Sequence, residues 1–296
     1  MSARRSPRER QSNPTRRRPF SPTPRDLEIV RHVARYRFLQ AHHVHALLGG
    51  GSAQQIVRRC GELYHEGYLD RPKNQYGMGA LVEPTIYALT NSGRDLISRQ
   101  AALPFLADYT ENNRTAKAGY MAHTIATNRF LIALDRGVRS FGYELRWDGH
   151  RSTPLLEVEE RDGRARFQAD AFFWLEHPQR GQVPHFLETD MSTLTLERMH
   201  QRFARYYVWW KSGAAEKMLG RDGFRLITFT KSPERMRTLR ETAAAATAAV
   251  LRERFREPWR GFLFAHAGDV DLAQPRSITE RIFHFATDEP PISLLE

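Results

Sequence analysis

The sequence predicts a two-domain α/β (α+β) protein: a three-helix unit closed by a β-hairpin, followed by an α/β sandwich. Three observations carry this. The chain has 296 residues, enough for two ordinary domains. Apolar residues recur at helical spacing from Leu27 to Leu63, and two strand-like runs follow. Beyond residue 118, helical and strand-like runs alternate.

Residues 1–20 hold seven arginines and one acid, with almost nothing to bury, so they read as a disordered basic tail. The first domain is expected at 21–100. Thr23-Pro24-Arg25-Asp26 reads as a capping box with proline at the first helical position. Leu27, Val30, Val33 and Ala34 then mark one helix face. A short second helix carries Ala41, Val44, Leu47 and Leu48 and ends at Gly49-Gly50-Gly51. Ser52 and Gln55 suggest another capping box, and the third helix buries Ile56, Cys60 and Leu63 before stopping at Gly67. Tyr68–Arg71 and Thr85–Leu89 form the hairpin, and Thr90 caps a helix running through Ser98. Three helices followed by a hairpin make a winged helix-turn-helix.

Residues 101–117 read as a linker, and the second domain as 118–288, with 289–296 a tail. Its elements are a helix Met121–Asp135 closed by Gly137 and strands at Phe141–Trp147, Leu155–Glu160, Arg166–Leu175 and Pro184–Asp190. Asp162-Gly163 is a hairpin turn. A helix Leu194–Lys211, a strand Phe224–Thr230, a helix Ser232–Phe255 and a strand Gly261–Ala265 complete it.

A net charge of +11 and a pI near 10.1 favour a polyanionic partner. Cys60 is the only cysteine, which excludes an intrachain disulfide and a cysteine zinc site. No apolar run is long enough for a membrane span. The leading arginines have no apolar stretch after them, so no signal peptide is expected and the chain reads as cytoplasmic.

The third helix is the expected recognition helix. Gln54, Gln55, Arg58 and Arg59 lie opposite Ile56 and Cys60, and glutamine and arginine bond adenine and guanine edges in pairs. Arg71 and Lys73 are expected at the wing, on phosphates. The expected partner is therefore double-stranded DNA at an origin-like site. His43-Val44-His45 does not read as a metal pair, because residues two apart in a helix point about 200° apart. These histidines are expected on a partly exposed helix face.

In the second domain Asp170 interrupts an aromatic run, and Glu188 and Asp190 share one face of a strand. Carboxylates this close need a proton, a basic partner or a divalent metal. If the two strands pair, the three acids gather, and such oxygen-rich sites suit Mg²⁺ or Mn²⁺. In the competing reading, Arg198 and Arg202 neutralise these acids as structural ion pairs. Tyr206 and Tyr207, at core-like spacing with Phe203 and Trp210, read as packing rather than as nucleophiles.

An acid-bearing strand followed by a strand with acid-x-Lys, on an α/β sandwich, is the PD-(D/E)XK nuclease pattern. The order Thr-Pro-Arg-Asp-Leu-Glu-Ile, His-Thr-Ile-Ala-Thr-Asn, Ala-Asp-Ala-Phe-Phe and Leu-Glu-Thr-Asp resembles the replication-relaxation family of plasmids and mobile elements. That family is similar to mobilisation relaxases with a restriction-endonuclease-like fold, which the resemblance implies for this second domain. It implies Asp170 and Glu188 as metal ligands, with the Thr189 carbonyl as a third. Asp190 stands where the nuclease lysine is expected. Arg198 or Arg202 could supply positive charge there but not a base, since guanidinium stays protonated. His123 and Asn128 become candidate site-lining groups.

The catalytic candidates are therefore Asp170, Glu188, Asp190, Arg198 and Arg202. The resulting expectation is a protein that binds origin-like duplex DNA and nicks or relaxes it with a divalent metal, beside other replication or mobilisation proteins. The alternative is a non-catalytic winged-helix DNA-binding or regulatory protein with a degenerate nuclease-like domain. The missing lysine supports the alternative.

Overall fold

The computed structural model describes residues 20–77, 84–98, 109–150, 152–160, 163–251 and 259–296. The basic tail before Phe20, the hairpin tip at 78–83, residue 162 of the expected turn and the end of the helix expected to reach 255 lie outside the described residues. The chain is a mixed α/β protein that divides into two compact units at Asn128/Arg129.

In the first unit α1 spans Pro24–Tyr36, β1 Phe38–Gln40, α2 Ala41–Leu48 and α3 Ala53–His65. The short β2 (Leu69–Asp70), β3 (Ile86–Leu89), α4 (Asn91–Ser98) and α5 (Tyr109–Arg114) follow, then the first half of α6 (Ala118–Arg139). The strands form an antiparallel sheet in the order β1-β3-β2, with Leu69 opposite Leu89. The capping box forms as the sequence suggests: Thr23 Oγ1 accepts from the Asp26 amide, and the Asp26 carboxylate accepts from the Thr23 amide at 2.8 Å. Thr90 likewise caps α4, accepting from Gly93 N at 3.0 Å. Ser52 makes no such bond. Instead the turn before α3 is clamped from outside: Arg25 donates to the Gly50 carbonyl (2.8 Å) and His45 to the Gly51 carbonyl (3.0 Å). Gly49, Gly50 and Gly51 all have positive φ, a conformation that a Cβ would strain.

His43 is buried rather than partly exposed, because its Nδ1 accepts from Gln40 N (3.2 Å) and closes the start of α2. The described part of the expected linker also packs. Asn113 is buried and donates to the Leu89 carbonyl, and Arg114 pairs with Asp70.

In the second unit β4 is Glu144–Arg146, β5 Leu155–Glu160, β6 Gly163–Gln168, β7 Ala171–His177 and β8 Gly181–Asp190. Then come α7 (Leu196–Lys211), α8 (Ala214–Leu219), β9 (Arg225–Thr230), α9 (Pro233–Leu251), β10 (Phe262–His266) and β11 (His284–Phe285). The main sheet runs β11-β10-β9-β8-β7-β4, with β8, β9 and β10 parallel and the other pairings antiparallel. Parallel strands are ordinarily covered on both faces, and β8 is buried from Pro184 to Asp190. Phe186 meets Tyr206 and Trp209 of α7 on one face, while Phe229 meets Phe130 of α6 on the other.

One expected strand, Arg166–Leu175, is two. β6 pairs with β5 in a separate ribbon and β7 enters the main sheet. The chain bends at Asp170, whose amide donates to the Leu187 carbonyl and whose carboxylate accepts from Thr189 N. Residues 289–296, expected as a tail, are tied down: Phe283 bridges Ile292, Leu294 is buried, and Tyr143 and Arg225 donate to the Leu295 and Leu294 carbonyls. Among the described residues no helix is long and apolar enough to cross a membrane.

Gly137 does not end its helix. It lies inside α6, where a Cβ would stand 2.4 Å from the Pro275 carbonyl oxygen and 2.8 Å from Ile278. Backbone cannot yield as a side chain does. Gly137→Ala should therefore cost roughly 1–3 kcal/mol of stability, despite alanine's better helix propensity. A chemical-denaturation midpoint unchanged or raised in the variant would contradict this contact.

Candidate functional site

Two clusters can do chemistry or recognition. The first is α3. Its buried face, Ile56, Cys60, Leu63 and Tyr64, fixes its rotation. That leaves Gln54, Gln55, Val57 and Arg58 exposed, as expected for three of the four predicted readers. Arg59 is different. It is half-buried, donates to both Asp26 and Glu62, and stands 5.4 Å from the Phe20 ring centroid. Asp26 is wholly buried. Burial raises its pKa, but the bonds from Arg59 and Thr23 outweigh this and hold the carboxyl below its ordinary value. Arg59 thus ties the start of α1 to α3 rather than pointing outward. Arg58 is two-thirds exposed and, among the described residues, pairs with Glu62 at 2.8 Å. Arg71 folds back over Tyr64 (4.2 Å) and Tyr87, while Lys73 is exposed.

The second cluster sits where β8 faces α7 and α9. Glu188 and Asp190 share that face, as their two-residue spacing predicts. Glu188 Oε1 accepts from Tyr206 (2.5 Å) and from Arg202 Nη2 (2.8 Å). Arg202 also donates to the Gln168 carbonyl. Burial pushes the Glu188 carboxyl up to about 7; Arg202 opposes the shift and nearby Asp170 adds to it. Burial works against the Arg202 charge, but Glu188 more than offsets it and the arginine pKa is raised. Asp190 is drawn aside by Arg235, from the first turn of α9, in a two-pronged ion pair at 2.8 and 3.1 Å. The Thr228 hydroxyl, on the β9 residue in register with Glu188, is buried with no hydrogen-bond partner among the described residues.

The expected gathering is therefore partial. Asp170, Glu188, Thr189 and Arg202 come together. Asp190 is on the same sheet face but neutralised by Arg235, which the sequence reading missed; its position three residues after Ser232, in a helix following β9, was the available signal. Arg198 is exposed and makes no ion pair with these acids. Asn128 is buried and donates to the Tyr36 and Phe38 carbonyls, tying α6 to β1. Tyr206 and Tyr207 are buried, in keeping with packing. Among the described residues no three His, Cys, Asp or Glu side chains are grouped so as to hold a metal. The Arg202 guanidinium stands against Glu188, where the nuclease resemblance implies Mg²⁺ or Mn²⁺, so the acids as arranged do not fit that ion.

Fold and clusters together define a two-unit mixed α/β protein with an exposed polar helix and a buried arginine–carboxylate centre. The chain belongs to the replication-relaxation family, whose model matches residues 30–222, more than half of it. The family ties it to replication or mobile-element DNA processing. No curated protein and no solved structure matches the chain.

Proposed function

We propose that this protein serves replication or mobile-element DNA processing by binding duplex DNA, its first unit acting as a winged helix that lays α3 in the major groove. The exposed face of α3 carries the reading: Gln54, Gln55 and Arg58 project from a helix whose opposite face is locked into the core. Lys73 and the seven arginines before Phe20 supply sequence-independent attraction to phosphates. In this reading the second unit is a degenerate nuclease-like sandwich, because Arg202 and Arg235 already compensate its acids. It acts in the cytoplasm, beside other replication or mobilisation proteins.

A second reading, metal-dependent nicking, keeps one favourable observation: Asp170 lies close enough to Glu188 to raise its pKa. It requires Arg202 to leave Glu188.

Removing residues 1–19, while keeping Phe20 on Arg59 and Tyr68, tests the DNA reading. Affinity should fall equally for all duplex sequences. The slope of log affinity against log salt should flatten by up to about six units if every arginine of the tail meets a phosphate. A full-length protein that binds no duplex at low salt would end this reading; an unchanged slope would remove the tail from it.

A further inference from the structure

Val57 is the most exposed large apolar side chain among the described residues, at 54%. A single exposed valine means little by itself. Its place gives it meaning. Gln54, Val57, Arg58 and Gly61 follow helical spacing and form one face of α3. That face is the one left free by Ile56, Cys60 and Leu63.

Gly61 is the second observation. Glycine inside a helix is destabilising relative to alanine. Here, among the described residues, a Cβ would find only Arg71 Nη2, at 3.6 Å, an ordinary contact. The fold of the chain does not demand this glycine. A surface that presses closely on the outside of α3 would.

Charge narrows the occupant. Arg58 points outward from this face, and Glu62, the nearest acid on the helix, is engaged by both Arg58 and Arg59. The face therefore presents an amide, a methyl-bearing side chain and a guanidinium, with its one carboxylate neutralised. The DNA major groove offers the matching set: adenine and guanine edges for Gln54 and Arg58, and one apolar group, the thymine C5 methyl.

We infer that Val57 reads a thymine methyl group in the major groove, between the bases met by Gln54 and Arg58, and that Gly61 lets α3 lie close against the groove wall. This rests on the DNA-binding reading above.

The test starts from a random-sequence duplex pool selected with the full-length protein. The most enriched duplex is resynthesised with deoxyuridine at each thymine in turn, which removes only the methyl. Wild type should lose about fourfold in affinity at one thymine, the equivalent of one buried methyl group. Val57→Ala should lose its sensitivity at that position and keep its response elsewhere. Gly61→Ala should melt at the same temperature or higher yet bind more weakly. Wild type indifferent to deoxyuridine at every position, a pool without sequence preference, or Val57→Ala retaining the wild-type sensitivity would each overturn the inference. So would Gly61→Ala binding at full strength, for the close approach. A protein that binds duplex but fails these tests leaves the DNA-binding reading standing; one that binds no duplex removes both.

Discussion

Arg59→Ala should destabilise the protein by about 3–5 kcal/mol, the usual cost of stranding a buried charge. The stranded charge is Asp26, which is wholly buried and among the described residues is otherwise held by Thr23. Asp26→Asn should cost less. It removes the buried charge itself, its amide oxygen can still accept from Thr23, and Arg59 keeps Glu62. Arg58→Ala should cost within about 0.5 kcal/mol, as exposed pairs do. Its expected loss is instead in discrimination among DNA sequences. On the proposed DNA-binding reading, the two variants would separate a structural role from a reading role on adjacent residues. Because the Asp26 carboxyl is depressed in the folded state, its contribution is present above the ordinary carboxylate range and is lost as pH falls through its folded value. Denaturant melts of the three variants from pH 3 to 7 check all of this. Equal losses for Arg58→Ala and Arg59→Ala would show that the buried pair is not what joins α1 to α3.

The elements that sequence reading placed well are those whose signals are local. The Thr23 capping box, the buried stripe of α3 and the two-residue phase of Glu188 and Asp190 depend on neighbours within a turn or a strand. What it misplaced depends on distant partners. Arg58 and Arg59 look alike in sequence, but only Arg59 reaches Asp26, thirty-three residues away. Gly137 resembles a helix stop until the Pro275 backbone is seen against it. The run Arg166–Leu175 has one composition, but the Asp170 carboxylate bonds the backbone of β8 and breaks it into strands of two different sheets. Acids were legible as a cluster because strand periodicity is strict. Their counter-ions were not, because Arg235 comes from a helix forty-five residues beyond Asp190.

The largest change in the second unit is expected from Arg202→Ala. It would leave Glu188 buried beside Asp170 without its cation, at a cost of about 3–5 kcal/mol. Replacing the pair together, Glu188→Gln with Arg202→Met, should recover most of that loss, because a buried ion pair is often no more stable than a neutral replacement of similar volume. Metal response then separates the two readings of this centre. If the guanidinium is the built-in cation, saturating Mn²⁺ leaves the wild-type melting temperature unchanged and supercoiled DNA stays closed. Arg202→Ala, in which Glu188 stands beside Asp170 without its arginine, should regain part of its lost stability in Mn²⁺. That rescue should vanish when Asp170→Asn is added. The nicking reading expects the reverse in the wild type: a rise in melting temperature with Mn²⁺ and open circles from supercoiled cognate plasmid, both abolished by Asp170→Asn and by Glu188→Gln while duplex binding persists. Asp190 adds an independent check. Its partner is Arg235 rather than any α7 arginine, so Asp190→Asn should destabilise in the same way with and without Mn²⁺. A manganese-dependent effect of Asp190→Asn would mean that the acids act as one metal cage, and that the arginine pairing is what yields when the ion binds.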